Sequence, residues 1–408
     1  MFDFLLTDEE LKVRDEVRRF VKEEVPAKMV RDMDLGEIES GRWFVEKAGQ
    51  ANLLGLRFPK EYGGRGMSWA CEIACVEEVG VLGTSLGCAF VMPSIVGEAL
   101  TRFGTEEQKK KYLAPTLAGR LYSAEGLTEP RGGSDFFGAT TTAIEDGDHF
   151  ILNGEKRFVV GAQDSDWFLI YAKSNPNAAP HESISCFIVE RAFGVEVQSI
   201  YNLMGTRGGG TGRVRMKDVR VPKENLVGQL HGAYKVFNRM MIPERLTSAA
   251  GSIGAGRAAL EVATRYSTRR KAFGQTINKY QAVSFKIADS IALLDAARGI
   301  CFAAAKLADS GADARRLVSE AKKVSTENAW TIVNNAMQVM GGIGYTSVYP
   351  VERLLRDGRL SLIWTGSNEI MNLLIQHEYY KEVMANAGKW RDIEGDALTP
   401  DEEEKHFG

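Results

Sequence analysis

The apolar spacing of this chain changes period twice, and that limits the folds open to it. From Thr7 to about residue 121 the apolar residues recur at helical intervals, as at Val13, Val17, Phe20 and Val21. Thr7 with Glu10 and Thr105 with Gln108 have capping-box spacing, each pair satisfying N–H groups that a helix start leaves unpaired. Between about 122 and 232 short segments of period two or continuous apolar character take over, at 150–152, 167–172, 185–189 and the alternating 213–216. Asp146-Gly147-Asp148, Asn153-Gly154 and Gly208-Gly209-Gly210 read as turns between them. No long helical stretch interrupts this region, so a parallel sheet with crossover helices is excluded and antiparallel pairing is expected. After Val221-Pro222 the helical texture returns and lasts to about 390. The reading is an α+β chain: a helical domain over 1–121, a central antiparallel β-domain over 122–232, a helical bundle over 233–390, and a solvated tail over 391–408 with Asp401-Glu402-Glu403-Glu404.

Within the last helical region, Val283, Ile287, Ile291, Leu294 and Ala297 form one stripe after Gln281, and Phe285, Ala288 and Ala292 form another. A helix apolar on two faces must be surrounded, by a bundle core or by another subunit. A net charge of -3 provides no basic field for nucleic acid and no polybasic patch for a membrane. The five cysteines are irregularly spaced and fit neither a disulfide framework nor a metal site, so a reducing, cytoplasmic setting is expected. No signal peptide or membrane span is visible in the sequence.

The segment Leu127-Thr128-Glu129-Pro130-Arg131-Gly132-Gly133-Ser134-Asp135 carries the chemistry. Pro130 and the glycines forbid a regular element, which frees backbone N–H groups and the Thr128 and Ser134 hydroxyls for a polar, phosphorylated cofactor; an ordinary surface turn has the same composition. Further motifs follow in order: Pro59-x-x-Tyr62-Gly63-Gly64, Leu152-Asn153-Gly154-Glu155-Lys156, Val219-x-Val221-Pro222, Tyr266-x-x-x-Arg270-x-x-Phe273-Gly274, Gln281, Gln338-Val339-x-Gly341-Gly342-x-Gly344 and Gly366-Ser367-x-Glu369-Ile370. Over nearly its whole length the chain resembles the acyl-CoA dehydrogenases, flavoenzymes that desaturate coenzyme A thioesters. The resemblance implies their fold, with a C-terminal four-helix bundle, and FAD as cofactor. It also implies a homotetramer and electron-transfer flavoprotein as electron acceptor. Gly251-x-x-Gly254-x-Gly256 lies in an alanine-rich helical pattern with no preceding strand, so close helix packing explains it better than a dinucleotide turn.

In the family's chemistry a carboxylate removes the α-proton of the thioester while the β-hydrogen leaves as hydride to flavin N5. Carried over residue by residue, Leu127, Thr128, Gly133 and Ser134 would hold the flavin's polar edge and pyrophosphate, with Ser134 also toward the substrate. Phe158 would lie against the flavin ring, where the family usually has tryptophan, and Val160 stands where a hydroxyl residue is common. Arg270, with Phe273 and Gln281, would reach the pyrophosphate from a neighbouring subunit, the fork of Arg270 suiting that role. By itself Arg270 also reads as a solvated helix charge. Gln338, Gly341, Gly342, Ser367 and Glu369 complete the cofactor set.

Many members of the family carry the catalytic glutamate immediately before the glycine of the Gly366 loop, and here that residue is Thr365, far too weak a base. Pro243-Glu244-Arg245 instead places a glutamate directly before an arginine that opens a long helix. A branch that includes isovaleryl-CoA dehydrogenase has its base there. Glu244 is therefore the candidate base, although a helix-start glutamate paired to Arg245 would show the same sequence. The thioester carbonyl would be gripped by the Thr365 N–H beside Gly366, with Arg245 near the CoA or the loop. Segment 87–93, with Phe90 and Met92, and Trp364 point to a short, branched or cyclic apolar acyl group. Two other enzymatic readings stay open, a cyclic acyl-CoA desaturase of altered regiochemistry and an acyl-CoA oxidase, as does a flavin-binding paralogue without turnover.

Overall fold

A computed structural model describes residues 2–396; the acidic run 401–404 lies outside them. The N-terminal region forms α1 (Asp8–Glu23), α2 (Ala27–Leu35), α3 (Arg42–Gln50), α4 (Trp69–Gly80) and α5 (Thr84–Phe103). A short α6 (Glu106–Gln108) then continues through a π turn into α7 (Ala114–Leu117). Both capping boxes form: the Thr7 hydroxyl accepts from Glu10 N at 3.3 Å while Glu10 accepts from Thr7 N at 2.8 Å, and Thr105 and Gln108 exchange the same bonds. Val13, Val17 and Phe20 are buried and Val21 is partly so, as the spacing requires. By length and apolar composition α5 could cross a membrane, but most of it is buried among the other helices.

Eight strands follow in one sheet: β1 (Ser123–Gly126), β2 (Thr142–Asp146), β3 (His149–Val159), β4 (Trp167–Lys173), β5 (Ile184–Glu190), β6 (Glu196–Ile200), β7 (Gly212–Pro222) and β8 (Leu226–Val227). The order is β6-β7-β3-β2-β4-β5-β8, with β1 beside β4. Pairing is mostly antiparallel, but β1 and β2 both run parallel to β4. The sheet curls on itself, so Phe150 of β3 meets Phe187 of β5 with ring centroids 5.0 Å apart. Phe168, Ile170 and Ala172 fill the inside of that curl, whereas Trp167, Leu169 and Tyr171 alternate outward onto the helices.

Asn153-Gly154 is not a turn. It lies inside β3, where Gly154 at φ +150° bulges past Met216 and Asn153 exchanges hydrogen bonds with Asp218. A side chain at 154 would meet the Thr141 hydroxyl at 2.4 Å, so the glycine serves close strand packing.

The C-terminal region comprises α8 (Ala233–Ser267), the hairpin β9 (Lys271–Ala272) and β10 (Gln275–Thr276), then α9 (Gln281–Asp309), α10 (Arg315–Met340), α11 (Val351–Ser361) and α12 (Asn368–Ala385). Helix α8 packs on α10, α9, α4 and α5. Its glycines allow the α4 contact: a Cβ on Gly254 would lie 2.3 Å from the Glu77 carbonyl oxygen. Arg245 does not open a helix, because α8 begins at Ala233 and Pro243 lies within it, about three turns from the start. On α9 one apolar stripe is covered at Leu294, Ala297 and Cys301, while Phe285, Ala288, Ile291 and Ala292 remain exposed on the single chain.

Candidate active site

Two carboxyl groups meet where the outer face of the sheet contacts α8. Glu244 is half-buried on α8, and Glu125 is 8% exposed on β1. Glu125 is level with Leu169 and Ser123 with Trp167 in the parallel β1–β4 register, so both face the helices with Tyr171. Burial raises the Glu244 pKa; a hydrogen bond with Glu125 and the nearby charge of Arg245 oppose the rise. Burial, followed by the charge of Glu244, holds Glu125 well above the ordinary carboxylate range. From α5, Cys88 approaches close enough for Glu244 to add to the burial that raises its thiol pKa. Phe90 and Met92 are buried in the same helix, with Phe90 packed edge-on against Phe44.

Strand β1 leads directly from Glu125 into the Leu127–Asp135 turn. Thr128 O accepts from Arg157 N at 2.7 Å, which staples the turn to β3 beside Phe158. Glu129 holds the turn from below: it accepts from Lys156 Nζ at 2.7 Å, from Thr140 Oγ1 at 2.7 Å and from Thr141 N at 3.1 Å. The Lys156 charge and the Thr140 bonds outweigh the effect of burial on Glu129 and bring its carboxyl down to about 2. The hydroxyls of Thr128 and Ser134 and the N–H groups of Gly133 and Ser134 make no hydrogen bond among the described residues, leaving a set of donors open to a ligand. Leu127 is partly buried against the core, as is Val160. Phe158 adopts φ +55°, a conformation costly for a bulky residue, and is 54% exposed, with its ring 5.0 Å from Tyr201.

The loop before α12 sits over the same part of α8. Trp364 Nε1 donates to Ser248 Oγ at 2.9 Å, one helical turn beyond Glu244. Thr365 at φ +52° and Gly366 at φ +85° form the bend, and the N–H groups of Thr365, Gly366 and Ser367 make no hydrogen bond among the described residues. Lys322 Nζ on α10 fixes the bend by donating to Gly366 O at 2.9 Å and Asn368 Oδ1 at 2.8 Å, while burial and Arg245 lower its pKa to about 7. Ser367 caps α12, and Glu369 is exposed on its first turn. Arg245 is buried behind Glu244 and donates to Ser319 Oγ at 3.1 Å; burial, followed by Arg315, lowers its pKa to about 10. No ion pair joins Glu244 to Arg245 among the described residues.

The remaining candidate residues lie elsewhere on the surface. Arg270 and Phe273 are exposed on the β9–β10 hairpin and Gln281 is exposed at the start of α9, the Arg270 side chain without a partner among the described residues. Gln338, Gly341 and Gly342 are exposed at the end of α10, where Gly341 takes φ +64°. Within one chain these residues do not join the Thr128 turn. Sequence reasoning missed Glu125, Tyr171 and Lys322.

The chain matches family models described as the N-terminal, middle and C-terminal domains of acyl-CoA dehydrogenase over residues 7–120, 124–219 and 232–379. A probable acyl-CoA dehydrogenase of Bacillus subtilis is 36% identical over 381 residues, covering 93% of this chain and 100% of its own. A subunit of the caffeyl-CoA reductase–Etf complex of Acetobacterium woodii is 34% identical over 368 residues, covering 89% of this chain and 96% of its own. The solved butyryl-CoA dehydrogenase of Megasphaera elsdenii matches the fold with a TM-score of 0.88 at 28% identity, covering 92% of this chain and 99% of that one. The chain therefore belongs to the acyl-CoA dehydrogenase family, flavoprotein oxidoreductases that dehydrogenate acyl-CoA thioesters.

Proposed function

We propose that this protein introduces an α,β double bond into a short, branched or cyclic apolar acyl-CoA, with FAD as cofactor and Glu244 as the base. The observation that carries this reading is the position of Glu244: its carboxyl lies beside the strand that feeds the Thr128 turn and one helical turn from the anchor of the Thr365 loop. The open hydroxyls and N–H groups around Thr128 and Ser134 and the strained, exposed Phe158 fit the polar edge and ring face of a flavin. When bound, FAD supplies the hydride acceptor. Glu244 takes the α-proton onto its carboxylate, and a bound acyl group would cover its remaining exposed side and keep competing water away. The Thr365 N–H, held by the Lys322-braced bend, donates to the thioester oxygen as negative charge builds there. Arg245, buried against Ser319, supports the helix behind the base.

Arg270, Phe273 and Gln281 would complete the pyrophosphate site of an adjacent subunit, and the uncovered Phe285–Ala292 face of α9 supports a homotetramer. A relative that belongs to an Etf complex supports an electron-transfer flavoprotein as acceptor. Five buried free cysteines are consistent with a cytoplasmic protein.

Glu244→Gln tests the assignment. FAD content should be retained, while turnover of an acyl-CoA panel, followed by flavin bleaching, falls by orders of magnitude. Near-normal bleaching by the variant would remove Glu244 from the role, and rapid oxygen consumption without an added acceptor would replace dehydrogenase with oxidase.

A further inference from the structure

Resting on the assignment of Glu244 as base, we propose that Glu125 is its positioning partner: the two carboxyl groups share one proton, which stays on Glu125 and is donated to the ionised Glu244. Glu125 Oε1 is sealed from solvent with no N–H donor on it among the described residues, and the groups that reach its carboxyl are Glu244 and the Tyr171 hydroxyl. Its strand register turns it toward α8 and α5, two residues before the turn that begins at Leu127. Two carboxylates in contact, one of them sealed from water, do not both ionise readily, so such a pair titrates as a unit.

The surroundings decide which one keeps the proton. Around Glu125 are the Tyr171 hydroxyl from β4, the Cys186 thiol from β5 and the Lys156 ammonium from β3, and Lys156 is already held by Glu129. Around Glu244 are Cys88 from α5, Tyr171 from β4 and Arg245 on its own helix; Arg315 and Lys322 from α10 face Arg245, and Asp357 of α11 acts on Cys88. Arg245 is the cation beside Glu244 and favours ionisation there, while at Glu125 burial and the charge of Glu244 outweigh the Tyr171 hydroxyl and a Lys156 ammonium already paired with Glu129, and favour protonation. The shared hydrogen bond then fixes the Glu244 rotamer and keeps the half-buried base ionised at neutral pH against the burial that raises its pKa. Proton abstraction leaves Glu244 neutral, and the pair returns to a single proton when that proton is released.

The test is the pH profile of kcat/KM in the flavin-loaded enzyme. Glu125→Leu removes the donor, so the acid limb should move to higher pH by about one unit, a tenfold loss at low pH that vanishes at high pH. Glu125→Gln retains an N–H donor and should restore most of that shift. A structural role alone would lower the rate at every pH and reduce flavin content. Infrared spectra provide a second readout that needs only the conservative variant: a protonated-carboxyl C=O band present in the wild type and in Glu244→Gln should disappear in Glu125→Gln. A Leu variant with the wild-type profile, a Gln variant shifted to lower pH, or a band that survives in Glu125→Gln would overturn the proposal. Normal turnover in Glu244→Gln would instead overturn the base assignment on which it rests.

Discussion

Lys156 and Glu129 form a buried ion pair beneath the cofactor turn, and the two halves should respond unequally to mutation. Lys156 is fully buried, and apart from Glu129 its only acceptor among the described residues is Leu127 O at 3.4 Å. In Glu129→Gln the ammonium loses its counter-charge. Breaking such a pair costs about 3–5 kcal/mol, and the upper end is set by neutralising the lysine at pH 7, about 4.6 kcal/mol from its free pKa of about 10.4. In Lys156→Met, by contrast, Glu129 keeps the Thr140 and Thr141 donors, and the loss should be about 1–3 kcal/mol. With an unfolding entropy of about 2.1 cal/mol/K per residue, a 4 kcal/mol loss lowers the melting temperature of a chain this size by roughly 5 °C. The pH dependence follows from Glu129, whose carboxyl falls from 4.5 unfolded to about 2 folded. A depressed pKa stabilises the fold above 4.5, by about 3 kcal/mol at 1.36 kcal/mol per unit, and this contribution fades as pH drops from 4.5 toward 2. Calorimetric scans between pH 7 and 3 should therefore show the wild type losing its advantage over Glu129→Gln across that window. The double variant should lose less than the sum of the single ones. A Lys156→Met protein less stable than Glu129→Gln, or strict additivity, would refute the reasoning.

Two further outcomes follow from the geometry. Gly254→Ala forces the α4 and α8 backbones apart and should cost about 1–3 kcal/mol, read as a melting-point drop of roughly 1–4 °C; an unchanged melting point would mean that α8 does not approach Glu77 so closely. Arg270→Ala removes a side chain without a partner among the described residues, so apo-protein stability should hold while FAD affinity in the assembled enzyme falls tenfold or more, the range of a charge-assisted bond; unchanged affinity by flavin titration would remove Arg270 from the cofactor site.

What the sequence disclosed depended on whether the relevant information was local. The capping boxes at Thr7 and Thr105, the apolar stripes and the free donors of the Thr128 turn are properties of neighbouring residues, and all were legible. The start of α8 was not, because Pro243 resembles a helix-start signal and its accommodation in mid-helix depends on packing. Asn153-Gly154 is a strong turn signal that here makes a bulge, because β3 continues along β7 past it. Glu125 left almost no trace: in Ser-Ala-Glu-Gly its alternation resembles a solvent-facing position, and only the register with Leu169 turns it inward. Lys156 and Glu129 appeared as letters of two separate motifs, and the pairing that gives them a purpose spans 27 residues. Arg270 was singled out by its spacing, and among the described residues its side chain has no partner.

The main apolar cluster ignores the borders that the three family segments suggest. Val17, Phe90, Trp167, Tyr171, Met240 and Leu294 belong to one continuous body of side chains that reaches from the first helix to the last third of the chain. Severing the polypeptide near residue 121 or 232 would bare that interior on both fragments. The three segments should fold or fail together, so the carboxyl pair, contributed by two of them, is assembled only once the whole chain has closed around it.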